Sequence, residues 1–197
     1  MPELKIILEA ALLAAEEPIP IDRLLTLFTE EQRPSREAVR TALQELHRDY
    51  TGRGVELIEV ASGFRLQVPQ SLAPWVSRLW QERPARYSQA LLETLALIAY
   101  RQPITRGEIE EVRGVSVSTT IIKTLLEREW IKIVGYREIP GRPALYATTR
   151  TFLDYFNLKS LDELPPLAEP RNFDTIDAKL RGYEVTVNPS PEFSSVN

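Results

Sequence analysis

The sequence predicts a mainly α fold with small β-hairpins, assembled twice in tandem. Three observations carry that expectation. First, ALLAAEEPIPIDRLL (residues 11–25) returns as ALIAYRQPITRGEIE (residues 96–110) at an offset of 85. The offset matches Ile7 with Leu92, Ala11 with Ala96, Leu12 with Leu97, Leu13 with Ile98, Ala14 with Ala99, Pro18 with Pro103, Ile19 with Ile104 and Leu24 with Ile109. In a chain of 197 residues such a repeat implies two like domains of roughly 80 residues each. Second, each copy runs from apolar residues at helical spacing into short segments that alternate apolar and polar. Third, 43% hydrophobic and 26% charged residues are ordinary for a soluble globular protein, and no apolar run approaches the roughly 18 residues of a membrane span.

In the first half, Leu4, Ile7, Leu8, Ala11, Leu12 and Ala15 place a helix over residues 3–16. Pro18 and Pro20 end it and open a second helix, whose inner face is Ile21, Leu24, Leu25 and Phe28. TEEQRPS (29–35) reads as a loop. Ser35 is a good N-cap for a third helix with Val39, Ala42, Leu43 and Leu46 on one side, and TGRG (51–54) breaks it. VELIEV (55–60) and FRLQV (64–68) alternate around Ala61-Ser62-Gly63, the pattern of a hairpin. Three helices followed by a hairpin is the order of a winged helix. A short helix follows, with Leu72, Trp75, Val76, Leu79 and Trp80 on an apolar stripe, and ERPAR (82–86) is a linker.

The second half repeats the plan. Ser88 caps a helix with Leu91, Leu92, Leu95, Ile98 and Ala99 inside, and Pro103 stops it. Thr105 with Glu108 three residues on is a capping box, and RGVS (113–116) is a tight corner. A third helix over residues 118–130 turns Ile121, Ile122, Leu125 and Leu126 inward. IKIVGY and ALYATT are strands joined by REIPGRP (137–143), a longer wing stiffened by Pro140 and Pro143. FLDYFNL is a last short helix and LKSLDELPPL closes the domain. The expected fold is therefore α+β with small hairpin wings, in two tandem winged-helix domains. These span residues 1–82 and 88–167, with a linker at 83–87 and a tail at 168–197 that is expected to have no fixed structure beyond YEVTV as a docking strand.

Composition removes several function classes. There is no cysteine and one histidine, His47. A thiolate zinc site, a cysteine nucleophile and a histidine array are thereby excluded. No glycine-rich phosphate loop is present, and Asp162 and Glu163 read as solvated loop residues. No nucleophile, base and orienting group can be assembled; the sequence offers no catalytic residue, no cofactor and no metal site. The acidic, amphipathic start lacks the marks of a secretory signal, which fits a cytoplasmic protein.

Charge separates the halves. Residues 1–80 hold 9 bases and 12 acids, residues 84–160 hold 11 and 8, and residues 161–197 hold 3 and 7. The third helices, which read bases in DNA-binding winged helices, present Arg36, Glu37, Arg40, Gln44, Glu45 and Arg48 in the first half and Ser118, Thr119, Lys123, Thr124 and Glu127 in the second. Acids beside bases weaken attraction to phosphate, which favours a solvated or protein-contact face over duplex readout.

The blocks ETLALIAYRQPITRGEIEEVRG (93–114), TLLERE (124–129), PGRPALYATT (140–149) and FLDYFNLKSLDELPPL (152–167) closely resemble the segregation and condensation protein B family. The resemblance runs from about Leu4 to Leu167 and is looser in the first half, where the ILEA start and the GVELIEVASGFRLQV hairpin carry it. The family pattern has a Gly-Leu pair after LLER, where this chain has Glu129-Trp130.

The resemblance implies a structural subunit rather than an enzyme. It implies a homodimer formed largely through the N-terminal winged helix, holding the middle segment of a kleisin subunit (segregation and condensation protein A, ScpA). The kleisin in turn bridges the heads of an SMC ATPase on the nucleoid, in chromosome condensation and segregation during cell division, with DNA contact at most weak and indirect. Candidate partner-binding residues are Arg101, Arg106, Arg137, Arg142 and Tyr146; Arg113 and Arg150 share their basic half, scattered surface arginines are at least as open a reading, and Arg142 reads first as an internally paired residue of a stiff turn. Candidate dimer residues are Ile6, Ile7 and Leu13, because the first helix is apolar over more than one face. Trp75 and Trp80 join them, as core packing or as a dimer seam. His47 reads as a helix-surface residue. The competing function is a DNA-binding transcriptional regulator with tandem winged helices.

Overall fold

A computed structural model describes residues 3–79 and 87–166. Helix α1 (Leu4–Ala14) buries Leu8 and Leu12. Helix α2 (Ile21–Leu25) buries Ile21 and Leu24. Helix α3 (Arg36–Asp49) starts where the Ser35 hydroxyl accepts the Ala38 N–H at 3.1 Å, and buries Val39, Ala42, Leu43 and Leu46 as its spacing requires. Strands β1 (Glu56–Val60) and β2 (Gly63–Gln67) form an antiparallel hairpin, with Val60 opposite Gly63 and Ala61-Ser62 as the turn.

The hairpin is stitched to the segment that enters α2. The Ile19 N–H donates to the Phe64 carbonyl at 2.8 Å, and the Phe64 N–H donates back to Ile19 at 2.9 Å. That approach requires Gly63. Its φ is +142°, and a Cβ there would lie 2.3 Å from the Ile19 carbonyl carbon.

The second half builds the same stitch from a true strand. Helix α5 (Gln89–Arg101), capped by Ser88, leads into β3 (Ile104–Thr105). Helix α6 (Arg106–Arg113) and helix α7 (Thr119–Glu127) follow. Strands β4 (Ile131–Tyr136) and β5 (Ala144–Thr148) complete a three-stranded antiparallel sheet of order β3-β5-β4, with Ile104 opposite Tyr146. Helix α8 (Arg150–Tyr155) buries Phe152. Ile19 and Ile104, 85 residues apart, thus do the same work.

The offset of 85 does not extend to the leading helices. There, burial aligns Leu8 with Leu95 and Leu12 with Ala99, an offset of 87, while Leu13 is 75% exposed where Ile98 is fully buried. The reason is the connection: four residues (15–18) separate α1 from Ile19, but two (102–103) separate α5 from Ile104. Leu92, expected inside, is 43% exposed on the same register.

Each half has its own apolar cluster, and the two share no residue. The described residues up to Leu164 nevertheless form one compact unit. The linker expected at 83–87 lies outside the described residues up to 86, as does the tail.

Trp130 was expected to end the third helix of the second half. Instead α7 stops at Glu127 and Trp130, 2% exposed, enters the core. Its ring lies 5.1 Å from Tyr87, 4.6 Å from Tyr155 and 5.5 Å from Phe156, with the Arg128 guanidinium 5.6 Å from its centroid. The chain makes that turn by placing Glu129 at φ +55°, so that the Trp130 N–H reaches the Leu125 carbonyl at 3.0 Å. This left-handed position favours glycine, and a side chain there costs about 1 kcal/mol.

The wing of the second half is tied down at its root. The Thr105 hydroxyl accepts the Glu108 N–H, and Glu108 Oε2 accepts the Thr105 N–H at 2.8 Å, closing the capping box. The other Glu108 oxygen takes a hydrogen bond from Arg137. The Thr105 N–H foremost, then its hydroxyl and Arg137, hold the Glu108 carboxyl below the ordinary carboxylate range.

In urea titrations, Gly63→Ala is expected to lose about 2–4 kcal/mol through strain and steric overlap with Ile19, whereas Glu129→Gly gains about 1 kcal/mol. Unchanged midpoints in both would contradict the two backbone assignments. A depressed carboxyl pKa gives stability that is full above the unfolded-state value and is lost as pH falls through the folded one. The urea midpoint is therefore expected to fall below about pH 4.5, and Glu108→Gln to cost about 1 kcal/mol at pH 7 while making that acid limb shallower. An equally steep limb in the variant would remove Glu108 from the account.

Candidate partner-binding surfaces

The first half hides only one stripe of α1. Leu8 and Leu12 pack inward, Ile7 is half-buried, and Ile6 and Leu13 face out. The segment after the hairpin forms a turn (Gln70–Leu72), helix α4 (Ala73–Val76) and a second turn (Ser77–Leu79), none with a buried residue. Trp75 is 64% exposed and Leu79 is exposed as well. Core packing of Trp75 is therefore corrected: α1, α2, α3 and the hairpin already close the first apolar cluster, and a four-residue helix presents no long stripe to it. Trp80 lies outside the described residues.

The candidate arginines of the second half are mostly engaged internally. Arg106 Nε lies 3.0 Å from Glu110 Oε1, its Nη1 donates to Thr119 Oγ1 at 3.2 Å, and its Nη2 donates to the Val117 carbonyl. Glu110 also accepts the Val117 N–H at 2.8 Å. That backbone hydrogen bond, then Arg106, lowers its carboxyl pKa. Arg106 thus braces the corner between α6 and α7.

Arg137 binds Glu108, and its own N–H donates to Pro143 across the wing at 2.9 Å. Arg142 sits in the wing turn at φ +39°, after Gly141 at +86°, with Nη2 3.5 Å from Glu138. Arg113 reaches Glu93 at 2.9 Å and is nearly buried, and it lowers the Glu93 pKa together with Gln89. Tyr146 is half-buried on β5, paired with Ile104 on one side and Ile133 on the other. Arg106, Arg137 and Tyr146 therefore gather around the start of α6, while Arg101 and Arg150 are exposed and make no ion pair among the described residues.

A surface that the sequence did not single out lies on the same wing. Ile133, Val134, Tyr136 and Ile139 are each about half exposed. Strand β4 is the edge of its sheet, and a register shift between Ile133 and Gly135 leaves Val134 out of the pairing. The available signal was Ile133-Val134 side by side, which breaks the alternation of a strand with one solvated face. Exposed apolar side chains grouped on an edge hairpin mark an interaction surface.

The outward face of α3 borders a cleft of about 670 Å³. Arg40, Gln44 and Arg48 stand over Ile58 and Phe64, and Lys159 and Glu163 supply part of the opposite wall. His47 is exposed, with Nδ1 2.8 Å from the Leu57 carbonyl. Arg36 is held by Asp22, and Lys123 lies 3.5 Å from Glu127. Among the described residues, no group of three His, Asp or Glu side chains is placed to hold a metal, and no helix is long and apolar enough to cross a membrane.

Comparison with known proteins shows the family to which the chain belongs. The family model described as segregation and condensation complex subunit ScpB matches residues 6–167. The chain is 59% identical over 176 residues to the segregation and condensation protein B homolog of Coxiella burnetii, covering 89% of this chain and 84% of that one. It is 45% identical over 169 residues to segregation and condensation protein B of Syntrophotalea carbinolica, covering 85% and 83%. The crystal structure of ScpB from Mycobacterium tuberculosis aligns over 79% of this chain and 96% of that chain, at 36% identity and a TM-score of 0.36. The family match over most of the chain, with relatives of this identity, places the chain in the segregation and condensation complex subunit ScpB family, whose members are structural subunits of chromosome segregation and condensation and not enzymes.

Proposed function

We propose that the chain is a homodimeric adaptor that joins copies of itself through its first half and captures a kleisin subunit, ScpA, through its second. The observation that carries this reading is the division of exposed apolar surface. Ile6, Leu13, Trp75 and Leu79 lie in the first half, and Ile133, Val134, Tyr136 and Ile139 lie on one wing of the second. Unpartnered apolar groups of this kind favour protein association. The kleisin as the partner, and through it the SMC ATPase, rests on the family resemblance. The work is geometric: two joined subunits clamp one partner segment and fix its spacing on the nucleoid in the cytoplasm, with DNA contact weak and indirect. Residues 1–82 serve self-association and residues 88–167 kleisin binding.

The engaged arginines refine the partner surface. Arg106 and Arg137 hold the fold in place and so present the wing, Arg142 stands in its turn and Tyr146 lies on its inner strand, while Arg101 is an exposed residue at the end of α5. A DNA-binding regulator is less well supported, because two of the cations that would face phosphate, Arg36 and Lys123, are neutralised by Asp22 and Glu127.

Size-exclusion chromatography with light scattering tests the proposal. The full chain is expected at twice its chain mass, rising further with the kleisin middle segment. Ile6→Glu/Leu13→Glu is expected to run at a single chain mass and still bind the segment, whereas Ile133→Glu/Tyr136→Glu stays dimeric and binds at least tenfold more weakly. A monomeric parent chain that fails to co-elute with the kleisin would sink the reading. Steeply salt-dependent duplex binding that requires Arg36, Arg40 and Lys123 would favour the regulator instead.

A further inference from the structure

The two halves touch through the tip of the first wing. The Ala61 N–H donates to the Leu158 carbonyl at 3.0 Å. The Ser62 N–H donates to Asp154 Oδ1 at 2.9 Å. Arg65 Nη2 donates to the Asp154 carbonyl at 2.9 Å and to Asn157 Oδ1 at 2.6 Å. Lys159 Nζ lies 3.0 Å from Glu59 Oε2. Asn157 holds its position at φ +59°, which turns the chain after α8 toward the wing. The partners stand about 90 residues apart in sequence, so no local propensity makes this contact.

We propose that this contact is a reversible polar latch that fixes the angle between the two halves. Three features support a latch over a permanent weld. Every contact named is a hydrogen bond or an ion pair, and the two apolar clusters remain separate. The Lys159–Glu59 pair is about half exposed on the lysine side, where water and salt compete with it. Arg65 Nε is buried without a partner, a cost that closing the latch must carry and opening it relieves. Small polar interfaces between packed halves of one chain permit relative motion. The latch also has a structural consequence. Asn157, Lys159 and Glu163 wall the cleft over α3, so opening the latch removes that wall and changes the distance between the self-association surface and the second wing.

The cysteine-free chain makes the test clean. Spin labels at Thr41→Cys on α3 and Thr120→Cys on α7, both exposed, report the distance between halves by pulsed electron paramagnetic resonance. Labelled full-length chain is diluted with unlabelled chain so that only distances within one molecule are read. The expected result is one narrow distribution at low salt that broadens in 1 M NaCl and in Arg65→Ala/Asp154→Ala. Glu59→Lys broadens it as well, and Glu59→Lys/Lys159→Glu restores the narrow peak, which a merely misfolded variant would not do. A broad distribution in the parent chain overturns the proposal, since the latch would then not close in solution. So does a narrow one that neither salt nor any variant alters, since something else would then hold the halves.

Discussion

The fold of each half depends on a short antiparallel stitch between the segment after its first helix and its hairpin. Without it, three small helices and a two-stranded hairpin would have little to hold them in one layer; an isolated hairpin is marginal in water. Ile19 and Ile104 occupy that position, and both are buried. In the first half the stitch is a single bridge, possible because Gly63 lets the Ile19–Pro20 backbone approach. In the second it is a strand, and its end doubles as the capping box that begins α6. Burial of the flanking helices, the direction of the hairpin and the placement of each wing all follow from these pairings.

The same constraint shows how two copies diverged. A connection two residues longer after α1 rotates that helix relative to α5, so that Leu13 faces out while Ile98 is buried. One consequence of a loop length is thus an apolar face on the first half that the second half has turned into core. The second half spends its arginines on bracing: Arg106 at the α6–α7 corner, Arg137 at the wing root and Arg113 against α5. Charge that reads as a basic partner surface in the sequence is therefore largely paired with acids of the same half. Beside the exposed Arg142–Glu138 pair, the wing presents Ile133, Val134, Tyr136 and Ile139 to solvent.

Much of this was legible in the residues. The caps at Ser35, Ser88 and Thr105, the four inward residues of α3 and the hairpin around Ala61-Ser62 followed from spacing and capping chemistry, which are local. The core reading of Trp75 fails because periodicity shows that a stripe exists and not whether a core remains open to receive it. The end of α7 was misplaced because Trp130 continues the helical spacing, and only the packing of Tyr87, Tyr155 and Phe156 around it shows that it belongs to the next element. The contacts of Ser62 and Arg65 with Asp154 and Asn157 have no local signature at all. The family blocks pointed to the kind of complex, while the pairing of each arginine needed coordinates.

We propose that the first half serves self-association and the second captures the partner. Hydrogen exchange followed by mass spectrometry on the full chain, with and without the kleisin middle segment, tests it most directly. The account predicts that the segment slows exchange across β4 and the wing loop, residues 131–139, and leaves α1 (Leu4–Ala14) as it was in the free protein. Protection confined to α1 and α4, with the second wing exchanging as before, would contradict it.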